Sequence, residues 1–389
     1  MGNALFDDFD IHKAGSRENA ECVWAQLRDA PGLAHCDLYG GFHIAARYAD
    51  MKAVLMNHGL FASGAGITLP PATTRSRHIP AEIDQPLHKD YRGVMQRTLM
   101  PDRVAPMEPA VREIVTQLLD AFTSTRLDLF TTLARPLPVY VMLQFLGLPR
   151  SDGPMIDTLV EDLHAEVASG VPRGAGPRLT AYAEDVIRNR TPDGEDFVST
   201  VMRGEVEGRT LTFDEQANMV RQVLIGAFDT TSLTLASAVW WLAQNPADVR
   251  RLRDEPALMN TATEEMVRFA SASTYLRRTV TDDAVLSGTS LHKGDHVLLA
   301  FGAANRDPST FKDPDTLVLD RKPNPHLGFG MGVHRCIGSH LAKLQLRVAL
   351  EELLNRYDLA PDPDEAIAFS TGLGQGIIRL PLILSRRAG

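Results

Sequence analysis

Ten residues late in the chain, Phe-Gly-Met-Gly-Val-His-Arg-Cys-Ile-Gly at 329–338, constrain the fold more than any other segment. They place Cys336 at the end of a glycine-rich loop, directly before a strong helical pattern over 339–353. A thiolate held there would lie at the positive end of a helix, with backbone N–H groups pointing at the sulfur. Such a sulfur anion is stabilised and can bind a soft metal centre, which predicts a metal–thiolate site.

Three other interpretations of this loop are weaker. A free cysteine is often a small buried apolar residue, but the neighbouring glycines allow a close approach to a flat ligand. A zinc site built from His334, Cys336 and His340 lacks the second Cys or His pair that structural zinc normally needs. A dinucleotide fingerprint fails because the alternating glycines do not follow GxGxxG spacing. A haem–thiolate site is the fourth interpretation, and the motifs described below are the reason that we favour it.

Composition sets the broad class. The chain has 389 residues, 44% of them apolar, so it can form one large domain or two ordinary ones. Its 40 basic and 49 acidic residues give a net charge of −9, which argues against a nucleic-acid binder. Three scattered cysteines predict a reducing cytoplasm rather than a disulfide framework. We see no signal peptide at 1–10 and no run of about 20 apolar residues, so no membrane insertion is expected.

Helical periodicity dominates the chain, with apolar residues three and four apart over 111–122, 181–189, 213–245, 256–269 and 339–357. The 213–245 segment is apolar on most sides, which predicts a long helix through the middle of the protein. Strand-like segments are short and lie at 41–46, 276–280, 285–286, 296–301 and 376–384. We therefore predict a mainly α fold with small β-sheets, and a long irregular loop over 64–80.

The glycine–cysteine segment resembles the haem-binding loop of the cytochrome P450 family, FGxGxHxCxG, at every specified position. The resemblance covers nearly the whole chain. It implies the cytochrome P450 fold in a single haem domain over 1–389, with haem b between a long distal helix and the proximal cysteine-loop helix. Cys336 would be the axial ligand of the haem iron, Phe329 and Gly338 would contact the cofactor, and His334 would contact a haem propionate.

A Glu-x-x-Arg pair supports the resemblance. Glu265 and Arg268 share one face of a predicted helix, a pattern that on its own also fits an exposed ion pair. Its position upstream of the cysteine loop matches the family's ExxR motif. In the family this pair joins a third arginine in a buried ion network, and Arg321 is at the matching position. We hypothesise that this network fixes the geometry of the core.

Three further cations match propionate ligands of the family. His88 and Arg92 are four residues apart, which puts an imidazole and a guanidinium on one helical face suited to a carboxylate. The alternative is an exposed polar face. The stretch resembles the family's C-helix, and Arg278 matches another propionate ligand. Together with His334, the resemblance implies four cations that converge on two carboxylates.

An acid and an alcohol, Asp229 and Thr230, stand inside the apolar 213–245 segment, where polar groups are costly without partners. A threonine there can bond back to a carbonyl one turn earlier and bend the helix. The stretch resembles the family's oxygen-activation motif, in which the acid and the alcohol relay protons. Ala227, a further expected cofactor contact, replaces the usual glycine, and Gly226 lies one position earlier. The extra methyl would narrow the oxygen groove or shift the bend.

The regions that contact substrate in the family map to about 61–83, 219–230, 271–276 and 371–376. The candidate substrate contacts are Ile67, Leu69, Val223, Gly226, Ser273, Thr274 and Leu373. Where the family often has a proline pair, this chain has Ser-Ala-Ser-Thr-Tyr at 271–275. Small hydroxyl residues leave room and offer hydrogen bonds, so we expect a polar secondary-metabolite or other natural-product scaffold. The alternative is that these hydroxyls bond the backbone.

The resemblance implies a monooxygenase that inserts one atom of O2 into an organic substrate. Soluble bacterial members receive electrons from a ferredoxin and its reductase, and we find no flavin or nicotinamide fingerprint that would indicate a fused reductase. A partner is expected to dock on a basic patch of Arg97, Arg335 and Lys343, which is otherwise an ordinary charged surface. Oxidative coupling, peroxide-driven oxidation and non-enzymatic haem-ligand binding are the alternatives, and the intact acid–alcohol pair favours hydroxylation. We expect a cytoplasmic monomer.

Overall fold

The structure is a computed structural model of the chain, and it describes residues 6, 9–12, 17–70, 77–370 and 372–387. Helices are the main secondary structure of these residues. They are α1 (Arg17–Asp29), α2 (Tyr48–Met56), α3 (Leu87–Leu99), α4 (Pro101–Val104), α5 (Glu108–Asp120), α6 (Pro136–Leu146), α7 (Gly153–Ser169), α8 (Ala175–Arg188), α9 (Phe197–Met202), α10 (Phe213–Ala227), α11 (Asp229–Gln244), α12 (Pro246–Asp254), α13 (Met259–Ala270), α14 (Phe301–Ala304) and α15 (Ser339–Arg356).

The strands are short and belong to small sheets. They are β1 (Ala34–Cys36), β2 (Phe42–Ala45), β3 (Phe61–Ala62), β4 (Arg126–Asp128), β5 (Glu205–Val206), β6 (Arg209–Thr210), β7 (Tyr275–Val280), β8 (Ala284–Leu286), β9 (Thr289–Leu291), β10 (His296–Ala300), β11 (Tyr357–Pro361), β12 (Ala368–Phe369), β13 (Ile377–Arg379) and β14 (Pro381–Arg386). The largest described sheet has the order β1-β2-β10-β7-β3, and a second has the order β11-β14-β4. Two-stranded sheets pair β5 with β6, β8 with β9, and β12 with β13. The predicted fold class, mainly α with small sheets, is confirmed.

The predicted segments differ from the observed elements mainly at their ends. The strand predicted over 376–384 is two strands, because β13 and β14 separate at Leu380. The loop predicted over 64–80 carries no helix or strand at 64–70 and 77–80, and its residues 71–76 lie outside the described part. The buried carboxylate of Glu82 ties this loop together, since it accepts hydrogen bonds from the backbone N–H groups of Ile67 (3.3 Å) and His78 (2.9 Å).

The central apolar segment is two helices rather than the single one predicted. A capping box begins α10, since Thr212 accepts from the Glu215 N–H (3.3 Å) and Glu215 accepts from the Thr212 N–H (2.7 Å). The helix is interrupted at Phe228, with φ −86° and ψ −61°. Hydroxyls cause a local bend here, because Ser232 donates to the Phe228 carbonyl (2.8 Å) and Thr234 to the Thr230 carbonyl (2.7 Å). The hydrogen bond to a preceding carbonyl that was predicted for Thr230 is thus formed by Ser232 and Thr234.

Taken as one element, Phe213–Gln244 is long and apolar enough to cross a membrane by length and composition alone. The prediction that no segment meets this test was therefore wrong. The core helix of a water-soluble protein passes the same test, and 67% of the relevant apolar window is buried inside this protein. Buried side chains of both helices, such as Met219, Leu235 and Val239, belong to the largest hydrophobic cluster. The helix pair therefore crosses the core, as the apolar pattern predicted.

Candidate active site

The loop before α15 is built around two left-handed glycines. Gly330 has φ 68° and Gly332 has φ 73°, values that only glycine adopts at little cost. A Cβ atom on Gly332 would also lie 2.5 Å from the carbonyl oxygen of Leu55, so no side chain fits there. The Cys336 N–H donates to the Phe329 carbonyl at 2.7 Å and closes the loop. The loop therefore places Cys336 just before α15, three residues ahead of its first residue.

The pKa of Cys336 is raised overall, because burial outweighs the groups that favour its thiolate. Burial raises the pKa of Cys336, while the Gly338 N–H and the charges of Arg92 and Arg335 lower it. The residue nevertheless has accessible surface. A Cβ atom added to Gly338 would meet nothing within 4 Å, so there is open space beside the sulfur. A flat ligand has room to approach at this point.

The predicted propionate ligands come together in one cluster beside this loop. The rings of His88 and His334 are 4.3 Å apart between centroids, and His334 experiences the charges of Arg278 and Arg92. Burial is the main cause that lowers the pKa of His88 to about 4, of His334 to about 3 and of Arg278 to about 10. The nearby carboxylate of Asp84 accepts from the N–H groups of Ser63 (2.8 Å) and Gly64 (2.9 Å).

This cluster differs from the sequence-based expectation in its charge. Without an anion beside them the two imidazoles are uncharged at neutral pH, because their pKa values lie well below 7. Arg92 and Arg278 supply the permanent positive charge, and the histidines supply hydrogen-bonding ring nitrogens. Two desolvated guanidiniums whose charges both act on His334 are costly unless anions join them. Two propionates would meet this need, so these residues fit haem.

The ExxR residues form a buried ion network. Arg268 donates from Nε and Nη2 to the two carboxylate oxygens of Glu265 at 2.8 Å each, and Arg321 Nε donates to both oxygens at 3.0 and 3.1 Å. The side chains of Glu265 and Arg268 have no accessible surface. Glu265 also accepts from the Val318 N–H (2.9 Å) and from Asn324 (3.2 Å). The remaining arginine N–H groups donate to the carbonyl oxygens of Asn305, Lys312, Asp313, Pro314 and Thr316.

The acid of the acid–alcohol pair is held in a charge cluster that the sequence did not reveal. Asp229 is ion-paired with Arg135, at the start of α6, and with His164 of α7, whose Nδ1 lies 2.5 Å from Oδ2. Asp157 (2.6 Å) and Glu161 (3.3 Å) share the same guanidinium. Burial alone would raise the pKa of Asp229, but its bonds to His164 and Arg135 lower the pKa to about 2. Asp229 is therefore a carboxylate at neutral pH.

Comparisons with known proteins agree with this geometry. A model of the cytochrome P450 family matches residues 178–382, more than half of the chain. The mycinamicin IV hydroxylase/epoxidase of Micromonospora griseorubida is 33% identical over 359 residues, which cover 87% of this chain and 89% of that protein. This chain belongs to the cytochrome P450 family. The resemblance read from the sequence is thereby confirmed.

Two further cytochromes P450 show how widely the family's substrates vary. The methyl-branched lipid omega-hydroxylase of Mycobacterium bovis is 31% identical over 389 residues, 95% of this chain and 89% of that one. The solved structure of a mutant of P450 EryK in complex with erythromycin B superposes with a TM-score of 0.86 at 27% identity, covering 95% of this chain and 97% of that chain. The protein is accordingly a haem–thiolate monooxygenase that uses O2, an organic substrate and electrons from a redox partner.

A zinc centre finds no support in this cytochrome P450. Within the described parts of the chain, no group of three or more His, Cys, Asp or Glu side chains is placed to hold a metal ion. His340, the third member of the zinc alternative, has its pKa lowered by burial and by the charges of Lys343 and Arg335. A single cysteine sulfur is what an iron porphyrin requires of the protein.

The structure rearranges the expected substrate contacts. Leu69 is fully buried in the cluster around Tyr275, and Val223 is buried in the main core, so their role as substrate contacts stays a prediction. Ile67 and Leu373 are half-buried, Gly226 is exposed, and Thr371 lies outside the described residues. The accessible neighbour of Val223 is Gln222, which the sequence analysis missed.

The hydroxyl stretch at 271–275 mostly serves the backbone. Ser271 ends α13 with φ 45°, and its hydroxyl donates to the Arg268 carbonyl at 2.7 Å. Thr274 is fully buried and donates to the Ser271 carbonyl at 3.2 Å. Ser273 is half-buried and forms a bridge with Gly374. The alternative of backbone-bonded hydroxyls is therefore the correct one for Ser271 and Thr274.

Proposed function

We propose that the protein inserts one oxygen atom from O2 into an extended, polar natural-product scaffold, in a single haem domain over 1–389 with Cys336 as the iron ligand. The observation that carries this proposal is the convergence of Arg92 and Arg278 beside the Cys336 loop, which fits a haem. The relatives that act on mycinamicin IV and bind erythromycin B support the substrate class. The lipid omega-hydroxylase supports a second class, a lipid chain.

The residues that would hold haem have separate tasks. Arg92 and Arg278 neutralise its carboxylates, and His88 and His334 add hydrogen bonds. The Gly338 N–H lowers the pKa of Cys336 against the effect of burial, and the start of α15 favours a negative sulfur once a metal binds it. Haem bound through that thiolate supplies O2 activation, since thiolate donation favours O–O cleavage.

Protons reach the distal side through this chain's own residues in our proposal. Asp229 is ionised at neutral pH and therefore accepts a proton before it can deliver one. His164 touches Asp229 at 2.5 Å, and its side chain is 38% exposed, so it joins the carboxylate to solvent. We propose that the proton passes from His164 to Asp229 and then, through water, to the Thr230 hydroxyl.

We expect Thr230→Ala to uncouple electron consumption from product formation. The methyl cannot hold or pass a proton, so the fraction of consumed NAD(P)H that appears as product should fall several-fold. The measurement is product formed per NAD(P)H consumed with a ferredoxin and its reductase. Thr230→Ser keeps the hydroxyl and should retain most of the coupling. Equal coupling in wild type and Thr230→Ala would remove Thr230 from the relay.

Electron delivery is proposed to use a separate ferredoxin and its reductase in the cytoplasm, acting on a monomeric enzyme. Arg335 and Arg97 are exposed, while the Lys343 ammonium is 2.7 Å from a Glu264 carboxylate oxygen and so is neutralised. Arg103, exposed on α4 next to α15, is a better third member of the basic patch. An acidic ferredoxin would approach such a patch at a rate that falls with ionic strength.

The experiment that tests the function combines binding and turnover. Candidate ligands are screened for a low- to high-spin shift of the Soret band, and those that shift it are supplied with O2, NADPH, a ferredoxin and its reductase. We expect polar macrocyclic or polycyclic compounds to produce the shift and to yield oxygenated products. A shift confined to alkanes and plain terpenes would overturn the polar-substrate proposal, and ligand binding without any NADPH consumption would overturn catalysis.

A further inference from the structure

One face of α10 and α11 is accessible, although their other residues are mostly buried. It contains Asn218, Gln222, Ile225, Gly226 and Asp229, which we call the accessible stripe. These positions recur every three or four residues and therefore line one side of the helix pair. The stripe ends at the proposed relay residue, so it borders the cleft in which a substrate would lie. Gln222 and Asn218 are its polar members on α10.

The Gln222 side chain is oriented by a histidine. Its Oε1 lies 2.8 Å from Nδ1 of His78. With the amide oxygen facing the ring, His78 donates from Nδ1 in its Nδ1–H tautomer, because an amide oxygen only accepts hydrogen bonds. This bond fixes which end of the amide faces the histidine, and the NH2 group is turned to the other side. There, the Gln222 Nε2 is the single atom within 4 Å of a Cβ added to Gly226, at 3.8 Å.

The histidine is itself firmly held. Its backbone N–H donates to the buried Glu82 carboxylate at 2.9 Å. The buried Arg221, next to Gln222 on α10, donates to the carbonyl of Arg77 at 3.2 Å. The segment that carries His78 is thus fastened both to α10 and to the loop around Ile67. An amide held in this way is prepared for a ligand before the ligand arrives.

We propose that Gln222, oriented by His78, is a hydrogen-bond donor subsite for a carbonyl oxygen of the substrate. This proposal rests on the proposed function, because it places a substrate along the accessible stripe. Eight residues of helix separate Gln222 from Thr230, about 12 Å. The substrate is therefore an extended molecule with a ketone, ester or lactone carbonyl about that far from the oxidised carbon. Its body passes over Gly226, where no side chain obstructs it.

The test uses imidazoles that ligate haem iron and carry a tail. One series ends in a methyl ketone and the matched series ends in the corresponding hydrocarbon, with tails of stepped length. Dissociation constants are read from the Soret shift for wild type, Gln222→Leu and Gln222→Glu. At the best tail length we expect Gln222→Leu to weaken the ketone probe about fivefold, and the hydrocarbon probe by less than about twofold. Gln222→Glu replaces the donor by an acceptor and should weaken the ketone probe further.

The outcomes separate the subsite from the function. If Gln222→Leu and wild type discriminate equally between ketone and hydrocarbon at every tail length, the subsite is wrong, while haem binding and Thr230-dependent coupling stand. If the probes fail to shift the Soret band of wild type, the haem–thiolate assignment fails instead. His78→Phe should reduce the ketone preference without affecting the hydrocarbon probe, because it releases the amide. An unchanged ketone preference in His78→Phe would contradict the orienting role of the histidine.

Discussion

Replacing the sulfur of Cys336 with oxygen is expected to abolish the enzyme's activity while leaving the chain folded. In Cys336→Ser, the hydroxyl stays protonated at neutral pH, so neither the Gly338 N–H nor the charges of Arg92 and Arg335 meet an anion. Without a thiolate, electron donation to the iron is lost. The reduced protein with carbon monoxide should lose the thiolate-type absorption band, and NADPH-supported turnover should fall below detection. Circular dichroism should stay that of wild type.

The chain offers matched controls for this substitution. Cys22 is exposed on α1, and Cys36 is buried, with its thiol donating to the Phe9 carbonyl at 3.5 Å. Cys22→Ser should leave the carbon-monoxide spectrum and turnover unchanged. Cys36→Ser tests the loss of a buried sulfur far along the chain from the loop, and it should retain the thiolate band. If Cys336→Ser keeps the thiolate band and one of the other two variants loses it, the iron ligand is that other cysteine.

The sequence predicts those parts of the site whose geometry is determined within one short segment. The glycines at 330 and 332 need left-handed backbone, and this need can be read from the residue type. The Glu265–Arg268 spacing puts both groups on one helical face, and in the structure they bond as that spacing suggests. Arg321 could be added because the family resemblance supplied the long-range pairing that spacing alone cannot give.

The partners of Asp229 could not be predicted, because they come from distant helices without a motif. Arg135 and His164 are ordinary residues of their segments, and only packing brings them to the carboxylate. The charge states of the buried histidines could not be predicted from the sequence either. His88 and His334 counted as cations in the sequence, and burial makes them neutral. A pKa depends on desolvation by side chains from other elements, which sequence spacing does not encode.

The polar stretch at 271–275 shows a different limit. From the sequence alone, a hydroxyl side chain can equally well hydrogen-bond a ligand or a nearby backbone carbonyl. The backbone conformation decides between the two. Ser271 has φ 45° at the end of α13, which turns its hydroxyl onto the Arg268 carbonyl. Our proposal therefore places the polar contact to the substrate at Gln222, which His78 orients, rather than at this stretch. A polar substrate is still expected, but for a reason that only tertiary contact supplies.

Removing the guanidinium of Arg268 is expected to cost more stability than any other single change we describe. Arg268→Ala leaves the fully buried carboxylate of Glu265 with one of its two guanidinium partners, and it deprives the carbonyls of Asn305 and Pro314 of their side-chain donor. Breaking a buried ion pair in this way costs about 3–5 kcal/mol of unfolding free energy. The measurement is the urea midpoint, followed by circular dichroism and by loss of the Soret band.

The matched control is Arg251→Ala, which breaks an exposed pair with Asp320 at 3.0 Å in the same region of sequence. Solvent already screens this pair, so the urea midpoint should stay near that of wild type. Arg268→Lys keeps the charge but not the fork that reaches both oxygens of Glu265, and its midpoint should lie between those of Arg268→Ala and wild type. A midpoint of Arg268→Ala no lower than that of Arg251→Ala would show that the network does not stabilise the fold. If Arg268→Ala lowers the midpoint and also loses the Soret band early, the network supports the cysteine loop. Asn305 provides the connection. Its carbonyl accepts from Arg268, and its side-chain oxygen accepts from the Leu327 N–H at 2.7 Å, just before that loop.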